Sequence, residues 1–409
     1  MNQAIKKRIE DINNGIVPEG YKQTPFGIFP CDWKAEEEFA DFCEINPKTE
    51  KLPEKFIYID LESVVDGKLI QKNIVYCDNA PSRAQRVLSD NDVIYQMVRP
   101  YQKNNFIFKI SDKELKSVAS TGYAQLRNDI PAFLYQVVNS DYFCFQVLAK
   151  CTGTNYPAIN SEDLGTVAIA FPENKTEQGK IAEILMKWEE MVELQEKYIQ
   201  KLELRKKSII QKMLMNNKGW IKTPLTKVLK ERKTYAILDS EYPHVTLGKS
   251  GVVDKTEQYE RDFLVKSDDK EYKITYPGDI VYNPANLKFG VICVNQYSMP
   301  AIFSPIYVTF EVNDEYNVDF IGAVLCSENF VRYIRKYEEG SLYERQAVKP
   351  EDFLKGEILI PEKKEQEDIA KVIQLADEEI SLQKEKLDRI KIQRKAMQQY
   401  LLTGIVRVC

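Results

Sequence analysis

Two stretches decide how this chain reads: FPENKTEQGKIAEIL at Phe171–Leu185 and IPEKKEQEDIAKVI at Ile360–Ile373. Each leaves a strand-like apolar end, passes a proline, crosses acids and amides, and enters an apolar series with helical spacing. Gln178 aligns with Gln366, Ile181 with Ile369 and Leu202 with Ile390, each pair 188 positions apart. The copy extends beyond the helices. NDVIYQ (Asn91–Gln96) resembles GDIVYN (Gly278–Asn283), and Trp33 and Trp220 stand 187 positions apart. An internal period of this kind means one structural unit written twice.

The helices are the most legible part. Ile181, Leu185, Trp188, Val192, Gln195, Ile199, Leu202, Lys206, Ile209 and Met213 step by four and three alternately, which is a coiled-coil seam. The second copy runs Ile369, Ile373, Ala376, Ile380, Gln383, Leu387, Ile390, Arg394, Met397, Leu401 without a slip. Prolines at 172 and 361 mark the starts, acids follow them, and basic residues gather late, as the helix dipole favours. About 40 residues at 1.5 Å each make rods of roughly 60 Å, too long to lie inside one head. The first carries the chain from one head to the other and the second starts at the far head, so antiparallel pairing is expected. Polar residues on a seam fix register. Gln195 and Gln383 are therefore expected to meet near a pseudo-two-fold axis, with Leu202 and Ile390 as seam partners, and with Trp188 against Ala376 as the site where the copies differ.

At 409 residues the chain suits roughly two to three domains. Its 44% hydrophobic and 29% charged content fits a globular protein with long solvated helices. No apolar run approaches the roughly 18 residues of a membrane span, and the N-terminus lacks the apolar core of a signal peptide, so a cytoplasmic protein with no membrane partner is expected. Eight cysteines occur without a CxxC pair, which suggests reduced thiols rather than a zinc cage or a disulfide framework. A net charge of −5 argues against a surface that binds nucleic acid all over, and leaves a local basic patch open.

Catalytic chemistry is hard to place. The single histidine, His244 in PHVTLG, reads as a structural or surface residue. The GKS at Gly248–Ser250 lacks the first glycine of a phosphate loop, since Pro243 stands there. NPAN at Asn283–Asn286 lacks the second proline and the aromatic residue of an amino-methyltransferase motif. The expectation is a binding protein with no catalytic residue, cofactor or metal of its own.

TGTNYPAINSEDLGTVAIAFPENKTEQGKIAEIL (Thr152–Leu185), GSLYERQAVKPEDFLKGEILIPEKKEQEDIAKVI (Gly340–Ile373), the closing LLTGIVRV (Leu401–Val408) and GIFPCDWK (Gly27–Lys34) carry a resemblance. The chain resembles the DNA-specificity subunit of Type I restriction-modification enzymes. The resemblance implies an α+β fold of two pseudo-repeated target-recognition domains joined by two long antiparallel coiled-coil helices. The expected segments are a helical lead at 1–30, a first recognition domain at 31–172, a spacer helix at 173–217, a second recognition domain at 218–361, a spacer helix at 362–403 and a tail at 404–409. It further implies that each domain reads half of a split, asymmetric site on double-stranded DNA while the helices set the gap. The family's subunit is not catalytic. It docks two modification (methyltransferase) subunits and the restriction/translocase subunits, so S-adenosylmethionine and ATP belong to those partners. A reading of another class, a non-DNA coiled-coil scaffold or adaptor, is separated from this one by affinity for duplex DNA once a modification partner is present.

Base reading needs Arg, Lys, Asn or Gln on loops that can enter a groove, with hydroxyls available for phosphates. In the first half the candidates are Arg83, Gln85 and Arg86, then Arg99, Tyr101, Lys103, Asn104 and Asn105, then Thr154, Asn155 and Tyr156. In the second half they are Lys249 and Ser250, Asn286 and Lys288, and Ser341, Tyr343 and Arg345.

Overall fold

The computed structural model describes residues 3–48, 50–110, 115–153, 155–236, 242–248, 251–254, 271–339 and 346–408. The chain divides into two compact units, Met1–Glu196 with Lys386–Cys409, and Lys197–Glu385. The division runs through the middle of both long helices rather than at their ends. The reason is burial: each helix half contributes its apolar stripe to the core of a different head. The helices that shape the units are α1 (Gln3–Asn13), α2 (Pro131–Val138), α3 (Asp141–Lys150), α4 (Lys175–Met215), α5 (Val318–Leu325), α6 (Glu328–Ile334) and α7 (Lys363–Leu402).

The first unit carries two four-stranded sheets. One has the order Phe106–Ile107, Val93–Gln96, Tyr123–Arg127, Glu44–Ile45 and is antiparallel throughout. The other has the order Asn73–Tyr76, Lys55–Ile59, Lys116–Ser120, Ala84–Val87, with its central pair parallel. Phe39, Phe133 and Phe143 lie in the core between α2, α3 and the first sheet, and Ile181, Leu185 and Leu401 of the long helices belong to the same cluster. In the second unit a four-stranded antiparallel sheet has the order Leu229–Glu231, Val308–Val312, Ile280–Tyr282, Ile292–Val294, beside a three-stranded one. Tyr282, Phe310 and Phe353 stack there, and Ile369 and Ile373 of α7 share their cluster with Ile210 and Met213 of α4. In each unit, then, the start of one long helix lies against the end of the other, which is antiparallel pairing.

The repeat holds in local detail. PAFLYQVV of α2 and VDFIGAVL of α5 occupy the same place in their heads, and the following helices are both N-capped by serine. Ser140 Oγ accepts from the Phe143 N–H (3.1 Å) and Ser327 Oγ from the Phe330 N–H (3.2 Å). Each head closes with an antiparallel strand pair, Ala168–Pro172 on Trp33–Glu38 and Glu357–Ile360 on Ile221–Pro224. Here the duplicated signature gains a physical reading. Gln178 Nε2 donates to the Pro172 carbonyl (2.7 Å) and Gln366 Nε2 to the Pro361 carbonyl (3.0 Å), both side chains being buried. Each glutamine satisfies a proline carbonyl at the end of the strand or just past it, where the chain turns towards a helix, a group that would otherwise be buried without this partner.

Ion pairs repeat as well. Glu196 meets Lys391 at 2.9 Å in the first unit, and its repeat equivalents meet as Lys384 and Glu203, also at 2.9 Å, in the second. Lys395 bonds Asp141 in the first unit, and the equivalent Lys207 bonds Glu328 in the second. Leu202 and Ile390 are buried, while Trp188 and its counterpart Ala376 are each half-buried. Gln195 is buried in the first unit and Gln383 half-buried in the second.

The joint between long helix and closing strand differs. In the second unit α4 runs on through Gly219 into Trp220, whose indole N–H donates to Glu365 Oε1 at 3.1 Å. In the first unit the corresponding joint is not covalent. After α7 the chain bends at Gly404 (φ 70°), where a Cβ would come within 2.5 Å of Pro30. Arg407 then grips Glu177, the repeat equivalent of Glu365, at 2.6 and 2.9 Å, and Asp32 at 2.9 and 2.8 Å. Arg8 of α1 and Tyr21 hold the carbonyls of Ile405 (2.8 Å) and Gly404 (2.7 Å). Hydrogen bonds to the two carboxylates raise the Arg407 pKa above arginine's ordinary value.

Candidate nucleic-acid interface

In the first unit a run of backbone hydrogen bonds strings three sequence-distant clusters along one rim. The Thr121 N–H donates to the Arg83 carbonyl (2.8 Å), Met97 to Gly122 (3.0 Å), Ile159 to Met97 (3.0 Å) and Arg99 to Pro157 (2.7 Å). A bridge between Thr152 and Ala158 closes the loop 153–157. At its start Gly153 (φ 89°) lets the backbone approach so closely that a Cβ would lie 3.1 Å from the Tyr156 carbonyl. The loop sets the Tyr156 ring, 62% exposed, over the Arg99 guanidinium at 4.3 Å. Residues 57 positions apart in sequence thus form one aromatic–cation pair at the surface. Asn155 and Tyr101 are exposed nearby in sequence. Thr154 lies outside the described residues.

Arg83 is exposed and has no ion pair among the described residues. Gln85, also exposed, bonds the Ser82 carbonyl (2.8 Å) and stiffens the turn before the strand. Arg86 is half-buried, with its Nε–H unpartnered inside the protein and burial lowering its pKa from the ordinary value. Arginine stays charged in such surroundings, so this group gains strongly from an incoming anion.

Three residues of the stretch RPYQKNN (Arg99–Asn105) have structural work. Asn105 is fully buried: its amide oxygen accepts from the Gln96 N–H (2.8 Å) and its Nδ2 donates to Asn139 (3.1 Å). Lys103 adopts left-handed backbone (φ 51°), and its ammonium bonds the Asn139 carbonyl (2.9 Å) and Asp141 (2.5 Å). These bonds, with those from Lys395, hold the Asp141 carboxyl below its usual pKa. Asn104 accepts from the Asp66 N–H (3.1 Å). Lys103 and Asn105, expected from the sequence to face a ligand, have their polar atoms committed to the head itself, and a groove could be reached only by breaking those bonds.

The second unit rebuilds the same rim. Val348 donates to the Pro284 carbonyl (3.3 Å) and Glu339 bridges Ala347, as Ile159 and Thr152 do in the first unit. The intervening loop, 340–346, is two residues longer than 153–157. Ser341, Tyr343 and Arg345 on it, and Lys249 and Ser250, lie outside the described residues. Asn286 is exposed at the start of the short turn Leu287–Phe289, and Lys288 lies 5.3 Å from the centre of the Phe289 ring, itself 75% exposed. The exposed Phe289 and the Thr121–Gly122 turn were not singled out by sequence reasoning. The first could have been found as the repeat counterpart of Gln102, but the second has no sequence signal.

A buried aspartate braces each rim. Asp92 accepts from Arg127 (2.8 and 3.1 Å), Gln125 (2.6 Å) and the Ser89 N–H (2.6 Å). Its counterpart Asp279 accepts from Arg232 (2.9 and 3.0 Å) and the Tyr276 N–H (2.8 Å). Among the described residues no group of His, Cys, Asp and Glu side chains is gathered as a metal ion requires, and no helix is long and apolar enough to cross a membrane.

Two copies of one head, each sharing its core with half of a pair of long antiparallel helices, define a duplicated two-headed class. No family model matches the sequence. The structure is similar to a solved chain from work titled "Structural basis underlying complex assembly and conformational transition of the type I R-M system". The TM-score is 0.58 at 19% identity, over 92% of this chain and 99% of that one. It is also similar to the HsdS subunit from Thermoanaerobacter tengcongensis (TM-score 0.40, 19% identity, 96% of this chain, 98% of that one). A third match is the Type-I restriction-modification system S subunit from M. genitalium (TM-score 0.47, 16% identity, 90% and 96%). The fold of this chain is that of a type I restriction-modification chain.

Proposed function

We propose that the chain is the sequence-specific DNA-binding specificity subunit of a Type I restriction-modification enzyme. In this reading the recognition domains at 31–172 and 218–361 each address one half of a split, asymmetric site. The spacer helices at 173–217 and 362–403 set the gap. Modification and restriction subunits dock on the chain and bring S-adenosylmethionine and ATP chemistry with them. The observation that carries the reading is the duplicated rim: the same backbone scaffold in both heads presents different side chains, Arg99 and Tyr156 in one, Asn286, Lys288 and Phe289 in the other. Two unlike readers on a common frame are what an asymmetric bipartite target requires.

Half-sites on one face of a duplex recur at about 34 Å, one helical turn, or a multiple of it. The rim's cations are few. A binder with net charge −5 therefore depends on its partners to neutralise many of the phosphates. Met191, Leu194 and Tyr198 on α4 and Leu375 and Leu382 on α7 leave apolar surface exposed along the long helices, which supports partner docking there.

The test is to sequence methylated adenines in the host with and without this gene. A bipartite motif that disappears on deletion is expected; an unchanged methylation pattern, with no duplex affinity in the presence of a modification subunit, leaves the scaffold reading in its place. Within the site, Arg83→Ala with Arg86→Ala should weaken DNA binding and lower the slope of log K against log salt by about one unit for each phosphate no longer neutralised.

A further inference from the structure

The second unit contains a cavity of about 680 Å³ between α4, α5, α6 and the strand Ile292–Val294. The first unit holds a polar bridge at the same place. There Gln136 of α2 donates to Glu189 of α4 (3.0 Å) and accepts from Gln398 of α7 (3.2 Å), tying the head to both long helices. In the second copy the three positions are Ala323, Asp377 and Ile210. The alanine reaches nothing across the gap, Asp377 turns to Lys206, and Ile210 offers only an apolar wall. The glutamine that bridges head and helices in the first unit is thus missing from the second, and the space between head and helix stays open.

The chemistry of the walls narrows what the space can hold. Ile210, Leu214, Val294, Phe330 and Ile373 line it, with Trp220 at one side. The charges around it are satisfied within the chain: Glu328 by Lys207, Asp377 by Lys206, Glu203 by Lys384, Glu357 by Lys222, and Asp319 by the amide of Gln374. Four of these carboxylates have a cationic partner and Asp319 has a neutral amide, so no cluster of unpaired charge is left to select an ion. Cys293 and Cys326 also line the cavity, and burial pushes both thiols up to about 12, so at neutral pH they present soft, uncharged sulfur. Cys326 nevertheless has exposed surface although protein surrounds it, because that surface faces the cavity. The volume falls in the range of roughly 300–1,000 Å³ typical of small-molecule sites.

We propose that this cavity of the second unit is a binding site for a neutral, mainly apolar small molecule, at the place where the first unit carries the Gln136 bridge instead. The inference is independent of the DNA reading and stands or falls without it.

The first unit supplies the control. Ala323→Gln combined with Ile210→Gln writes the Gln136 and Gln398 pair into the second unit. With Nile red as the neutral apolar probe and the full-length chain, saturable binding of one equivalent is expected, with affinity at least tenfold weaker in the double variant. Thermal unfolding of the variant reports whether it is folded. Should it not fold, Ala323→Gln alone is used together with protection of Cys326. Nile red should slow modification of Cys326 by N-ethylmaleimide, read by peptide mass spectrometry, and leave the surface thiols Cys31 and Cys77 unaffected. Absence of saturable binding, equal binding by a folded filled variant, or unprotected Cys326 at saturating probe each overturns the site.

Discussion

The first unit joins its long helix to its closing strand through a tail held by Arg407, and the second joins them by unbroken chain through Trp220. The acid at the receiving end is the same in both, Glu177 and Glu365, one turn into a helix whose dipole favours negative charge. A covalent connection needs only one hydrogen bond to set its angle. A joint that is not covalent needs a fork: two carboxylates gripping both sides of a guanidinium, with Arg8 and Tyr21 holding the backbone before it. The difference shows what a repeat must add where it closes on itself.

The comparison is most exposed to failure at Arg407. Arg407→Ala leaves Glu177, with only 4% of its side chain exposed, without a countercharge. Breaking such a pair costs roughly 3–5 kcal/mol, and the lower end is expected because the guanidinium is partly exposed. Trp220→Phe in the other joint removes one hydrogen bond and should cost about 0.5–1.5 kcal/mol. Urea unfolding of both variants checks this; equal losses would mean the two joints are energetically alike.

Next in size is the duplicated glutamine. Gln178→Ala and Gln366→Ala each strand a buried proline carbonyl, at about 1–3 kcal/mol. Gln366 should be the more costly, since its oxygen also accepts from the Asn317 N–H at 3.0 Å. A smaller loss for Gln366 in the same unfolding experiment would remove that distinction.

The rims differ in charge at several corresponding positions, among them Arg99 against Asn286 and Tyr101 against Lys288. Salt titrations of DNA binding, with the modification partner present, should give a slope lower by about one unit for Arg99→Ala and unchanged for Asn286→Ala. An unchanged slope for both would mean that Arg99 neutralises no phosphate.

The smallest effect belongs to Glu189. Burial pushes its carboxyl above the usual range, so the folded protein holds the proton more tightly than the unfolded chain. Its stabilising contribution is therefore complete below the unfolded pKa and is lost as pH rises through the folded one. Glu189→Gln keeps a partner for Gln136 without the buried charge. Its melting temperature should rise by about 2 °C at neutral pH, and the gain should vanish near pH 4. A gain independent of pH would place the cause elsewhere.

Much of the architecture is readable before any coordinates. The seam from Ile181 to Met213 and its copy from Ile369 to Leu401 follow from local periodicity, and the offset between Trp33 and Trp220 marks the two heads. The site is legible only in part. Arg83, Arg99 and Tyr156 are residue types suited to a groove, and all three lie on one rim. Lys103 and Asn105 are suited on the same grounds, yet their polar atoms are already bonded within the head. Composition cannot separate these cases, since an asparagine that braces a turn and one that reads a base use the same amide.

Sequence by itself determined the duplication, the helical seams and their opposed directions, because these depend on spacing along the chain and on the shortest route between heads. Tertiary structure alone decided which polar groups were already satisfied, that Arg99 would lie beneath Tyr156, and that the place of Gln136 would stand open beside Ala323. Those outcomes rest on contacts between segments distant in sequence, and their geometry is fixed only when the cores close.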